Sequence, residues 1–126
     1  VPVLLDTCAW AWSLDASGLL SDPARKAIVE ADRVLVSPIT FFEIAQKVRL
    51  GKWPEMTPFA EDLPDVLERQ GGHVAPFTPA IALDAGLMDW AHGDPFDRLI
   101  AATAKQMEVP LVSSDSVFDT IIARIW

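Results

Sequence analysis

Five residue–proline steps punctuate this chain: Asp22-Pro23, Ser37-Pro38, Thr57-Pro58, Thr78-Pro79 and Asp94-Pro95. In each, the first side chain can cap a helix. The proline then falls in the first turn, where a missing N–H leaves nothing unbonded. They predict five helix starts, and Asp6 predicts a sixth, shorter helix. Between these starts lie apolar runs too short for helices: Val3–Leu5, Val34–Val36, 74–77 and Leu111–Val112. The tail 121–126 offers a last strand. Runs that are apolar on both faces belong in a buried parallel sheet. Strands alternating with helices require right-handed crossovers, so the expected class is α/β with a central, mainly parallel sheet. Gly71-Gly72 reads as a helix stop, and Pro64 makes the helix after Pro58 restart at Asp62.

The chain has 126 residues, which predicts one domain over 1–126. With 51% hydrophobic residues it has enough apolar surface for a core, so an ordered chain is expected. No apolar run approaches the ~20 residues that span a bilayer. The start at Val1 carries no basic-then-apolar leader, and Cys8 is the only cysteine. No internal disulfide or cysteine zinc cluster can form, and a reducing cytoplasm is the expected compartment. A formal charge of −8 argues against broad electrostatic binding of nucleic acid. It is compatible with a nuclease whose acids hold cations, and it favours a basic protein partner.

The acids fall at informative places. Asp6 ends a buried strand and begins a helix, so it is either an N-cap or a ligand at the carboxyl end of the sheet, where open α/β folds bind. Asp115 ends the Leu111–Ser114 run and gains from the same rule. If the two strands are neighbours, the two acids converge. Asp94 and Asp97 open the helix Pro95-Phe96-Asp97-Arg98-Leu99-Ile100, and i and i+3 share a face. Asp94 is fully explained as its cap, whereas Asp97 is not. Glu43 sits among Phe41, Phe42, Ile44, Ala45 and Val48, and local reasoning favours an exposed carboxylate paired to Lys47 at i+4. Clustered carboxylates suit a hard ion such as Mg²⁺ or Mn²⁺, which relieves their repulsion and can activate water.

Other chemistries find no support. His73 and His92 are the only histidines, and both read as ordinary loop or strand residues. There is no Ser-His-Asp set, no His-x-x-x-His spacing and no glycine-rich phosphate loop. Ser113-Ser114 stands where an acidic receiver domain would carry lysine. Lys47, Arg49 and Lys52 cluster at a helix end beside Trp53, which favours complementing the helix dipole over contacting RNA. Arg98 is open to pairing with Asp94 or to a substrate phosphate. Thr7 is open to a cap or to the acid pocket. Trp10, Trp12, Trp90 and Trp126 read as core or interface. Asp119 reads as an exposed turn residue.

These blocks together resemble PIN domains, most closely the VapC-type toxins of bacterial toxin–antitoxin pairs. Leu4-Leu5-Asp6-Thr7 with Trp12 is similar to the family's opening. Ser37-Pro38-Ile39 leading to Glu43-Ile44-Ala45 and on to Lys52 is similar to its second block. His92 through Ala104 is similar to its third, and Leu111-Val112-Ser113-Ser114-Asp115 with Phe118 to its fourth. The resemblance implies a three-layer α/β/α sandwich and a Mg²⁺- or Mn²⁺-dependent endoribonuclease. Its acidic quartet falls on Asp6, Glu43, Asp97 and Asp115 as metal ligands and catalytic residues. Asp94, Ser113, Thr7 and Arg98 are the supporting candidates. The implied partners are RNA, a VapB-like antitoxin and a second copy in a homodimer, with no membrane. The rival reading is a catalytically inactive PIN-like interaction module.

Overall fold

The computed structural model describes residues Val1–Trp126. Five strands form one parallel sheet: β1 (Val3–Leu5), β2 (Val34–Val36), β3 (His73–Val74), β4 (Leu111–Val112) and β5 (Arg124–Ile125). Their order is β3-β2-β1-β4-β5. The first strand is therefore central, with Leu5 opposite Val36 on one side and Val112 on the other. The outer strand β3 is exposed at both residues. It covers His73–Val74 rather than 74–77, and Phe77 lies exposed in the loop beyond.

Six helices connect the strands: α1 (Thr7–Leu14), α2 (Asp22–Glu30), α3 (Pro38–Arg49), α4 (Leu63–Arg69), α5 (Pro79–Leu87) and α6 (Pro95–Met107). Strand alternation divides the core into two faces. Val3, Leu5, Val36 and Val112 pack under Trp10, Ala24, Ile44 and Leu67 of α1, α2, α3 and α4. Leu4, Leu35 and Leu111 point the other way, onto Ile100, Ala101 and Ala104 of α6 and onto Phe118. Helix α5 packs outside α6 through Ile81, Ala85 and Ala102. This is the expected three-layer α/β/α sandwich, with a sheet that is wholly parallel.

The caps expected before proline are present at Ser37, Thr78 and Asp94, whose side chains accept from Ile39, Ile81 and Asp97 N–H. Two steps differ. The cap of α2 is Ser21, which accepts from Ala24 N–H, so Asp22 is already helical. Thr57-Pro58 opens no α-helix. It lies in a run of turns after a single 3₁₀ turn at Pro54–Met56, and the helix begins at Leu63, next to Pro64. Gly71 stops α4 with a φ of 79° while its N–H bonds to Glu68 C=O and that of Gly72 to Leu67 C=O. This left-handed closure is the one glycine permits without strain. No helix is long and apolar enough to cross a membrane.

Candidate active site

The carboxyl ends of β1 and β4 are adjacent, so the acids that follow them converge. Asp6 caps α1, its Oδ1 accepting from Ala9 N–H at 2.8 Å. Asp115 caps the 3₁₀ turn Ser116–Thr120 and accepts from Val117 N–H at 3.0 Å. Asp97 occupies the first turn of α6, held by Asp94, whose Oδ1 accepts its N–H at 3.0 Å. Glu43 comes from α3. A polar cavity of about 260 Å³ is lined by Asp6, Glu43, Asp97, Asp115 and Asp94, with Thr7, Cys8, Lys47, Ser114 and Phe118. Four further cavities carry none of these four acids. The largest, about 420 Å³, lies between α1 and α2 beside Trp12 and Leu20.

The four acids differ in their surroundings. Asp6 is only 8% exposed, and burial pushes its carboxyl up to about 6, against the opposing effect of the Ser113 hydroxyl and Ala9 N–H. No cationic side chain pairs with it. Burial also raises Asp97, offset by a 2.7 Å bond to His92 Nε2 and reinforced by the charge of Asp94. Glu43 does pair with Lys47, at 2.9 Å, but it is not the exposed surface acid that local reasoning favoured: its side chain is 13% exposed. Cys8 sits beside these charges, and burial followed by the Asp6 charge pushes its thiol up to about 11.

The supporting candidates separate. Thr7 caps nothing; its hydroxyl is 3.0 Å from that of Thr40 in the buried floor. The Ser113 hydroxyl is fully buried and accepts from Asp115 N–H at 3.1 Å, fixing the turn that carries that acid. Arg98 neither pairs with Asp94 nor faces the cavity. Its guanidinium donates to the carbonyls of Ala85, Met88, Trp90 and His92, tying down the loop before α6. Asp119 is the exposed turn residue expected, and Arg124 binds both its oxygens and lowers its carboxyl. His92 was missed by sequence reasoning. It contacts Asp97 and lies 5.0 Å from the Trp90 ring. Its sequence signal is its place at the head of the block His92 through Ala104, five residues before that acid.

Every candidate ligand is an oxygen donor, the chemistry a hard divalent ion selects. Asp6 in particular is a buried carboxylate with no cation beside it, an arrangement that costs free energy until a positive charge arrives. As they stand, the acids form no cluster of three that would hold a metal ion. Lys47 and His92 instead hold Glu43 and Asp97.

Residues 3–122 match the PIN domain model. The chain belongs to the PIN domain family. This PIN domain is 36% identical over 117 residues to Ribonuclease VapC22 of Mycobacterium tuberculosis, covering 90% of this chain and 86% of that protein. The resemblance to VapC-type toxins therefore holds. Among solved structures, FitAcB from Neisseria gonorrhoeae superposes with a TM-score of 0.66 at 22% identity, over 97% of this chain and 95% of that one. VapC20 of M. tuberculosis, a sarcin–ricin loop cleaving toxin, gives 0.65 at 15% identity, over 94% and 93%. At those identities the two structures establish a shared PIN fold.

Proposed function

We propose that this PIN domain is a Mg²⁺- or Mn²⁺-dependent endoribonuclease toxin, with residues 1–126 acting as one domain. The observation that carries the reading is the convergence of Asp6, Glu43, Asp97 and Asp115 on one cavity at the carboxyl ends of adjacent strands. Its family membership and the ribonuclease name of its 36% identical relative support it. The four carboxylates would hold the ion, which supplies positive charge for the phosphoryl oxygens and acidifies a water. The reaction is hydrolysis: a water oxygen bonds to phosphorus, the P–O bond to a ribose oxygen breaks, and that oxygen leaves with a proton.

The chain's own contribution is placement. Ala9 N–H holds the Asp6 carboxylate, and Asp94 sets the first turn that presents Asp97. Ser113 fixes the Asp115 turn, and Arg98 anchors the loop before α6. The partners are an RNA substrate, a second copy in a homodimer and a VapB-like antitoxin. The formal charge of −8 suits inhibition by a basic segment laid over the cavity.

The rival, an inactive interaction module, draws on the Lys47 and His92 contacts that occupy two of the four acids. Incubating RNA with the chain in Mg²⁺ or EDTA separates them. Cleavage in Mg²⁺ that EDTA stops is the expected result. Asp6→Asn abolishes that cleavage while its circular dichroism matches the wild type. Retained cleavage in the variant overturns the mechanism.

A further inference from the structure

Lys47 supplies the only ammonium or guanidinium on the acidic cavity. Its Nζ lies 2.9 Å from Glu43 Oε2 and 5.4 Å from the centre of the Trp53 ring. The lysine side chain is 39% exposed where its glutamate partner is 13% exposed, so the pair runs from the cavity wall to its rim. Its backbone is fixed as well. Lys47 C=O accepts from Lys52 N–H at 2.8 Å, closing α3 around Gly51.

We propose that Lys47 is the resident cation of this cavity. It holds Glu43 while no divalent ion is bound, and it passes to an RNA phosphate oxygen when Glu43 turns to the ion. The proposal rests on the ribonuclease reading above. An ammonium and a divalent cation on one carboxylate repel each other, so Glu43 cannot serve both at full strength. Cation–π attraction tolerates small movements, so the Trp53 ring keeps the ammonium at the rim after Glu43 leaves it. Substrate phosphate then needs a protein cation at an otherwise acidic mouth. Arg98, a further candidate in sequence, is committed to four backbone carbonyls, and neither Arg49 nor Lys52 lines the cavity. A lysine is a point charge with no preference among bases, so Lys47 adds affinity rather than sequence selection.

The test is Lys47→Met, which keeps an unbranched apolar stem against Trp53 and removes the charge. Titrated calorimetrically into metal-free protein, Mn²⁺ binds the variant about two- to fivefold more tightly, the competition expected of a half-exposed ion pair. With Mg²⁺ present, KM for RNA rises while kcat changes little. The slope of log KM against log salt flattens by about 0.7, one single-strand phosphate contact. Lys47→Gln repeats both effects, which separates charge from packing, and Lys47→Arg restores KM and the salt slope. Mn²⁺ affinity that is unchanged or weaker overturns the proposal, and so does an unchanged KM and slope. Failure of the ribonuclease reading looks different: the wild-type chain then cleaves no RNA, and the Mn²⁺ comparison alone decides whether Lys47 guards Glu43.

Discussion

Asp6 shows how one residue couples folding to the site. Its carboxyl is buried and pushed up to about 6, above the ordinary value of 3.8. The folded chain therefore binds this proton more tightly than the unfolded chain. Stability is fully present below about pH 4 and is lost as pH rises through about pH 6. The loss is about 3 kcal/mol in the metal-free protein, at about 1.4 kcal/mol per pH unit. Urea unfolding of metal-free protein across that window measures it. Asp6→Asn flattens the fall and is the more stable protein at neutral pH. Asp97, raised in the same direction, leaves a smaller slope behind. Equal slopes in the two proteins would show that Asp6 carries no buried charge. The convergence of Asp6, Asp97 and Asp115 was legible because strand ends and helix starts are marked in sequence. Arg98 was not legible, because its partners are backbone carbonyls, whose directions no side-chain pattern reports. Nor was His92, whose contact depends on how the loop before α6 folds back.

At the scale of elements, most helix starts and the short strands could be read from caps and apolar runs, whereas the order of the strands, with β1 central, could not. Thr57-Pro58 misled because a cap and a proline license a helix without supplying its apolar face. The chain there makes turns until Leu63, Val66 and Leu67 provide one. The end of α6 carries no glycine; its marks are Lys105 in the last turn and Pro110 two residues beyond Glu108. It closes on Glu108 in the left-handed region, with a φ of 55°, where its N–H bonds to Lys105 C=O and Val109 N–H to Ala104 C=O. This is the closure that Gly51 and Gly71 make for α3 and α4, built on a residue with a Cβ. A left-handed non-glycine costs about 1 kcal/mol. Glu108→Gly is therefore expected to stabilise the fold by about 0.5–1 kcal/mol, net of the unfolded-chain entropy glycine adds. Its urea midpoint moves up with an unchanged slope. A lower midpoint would mean that the Glu108 side chain stabilises α6 more than its backbone strains it.

For the whole molecule, the decisive quantity is where its excess negative charge sits. A formal charge of −8 spread evenly would bind divalent ions weakly and everywhere. This fold instead gathers Asp6, Glu43, Asp94, Asp97 and Asp115 around one cavity with a single ammonium. Cation binding should therefore be local and coupled to folding. At ten times its dissociation constant, one ion bound only by the folded chain adds about 1.4 kcal/mol. For a chain of this length that raises Tm by about 5 °C. Thermal scans in Mg²⁺, in EDTA and in NaCl of equal ionic strength separate specific binding from screening. The shift is expected in Mg²⁺ alone, and Asp6→Asn loses most of it, because that variant removes a buried ligand and leaves the surface charge almost unchanged. An equal shift in both proteins would put the ion on the general acidic surface and leave the cavity without its cation. Hydrolysis assisted by a metal at this site would then have no basis, whatever the family resemblance.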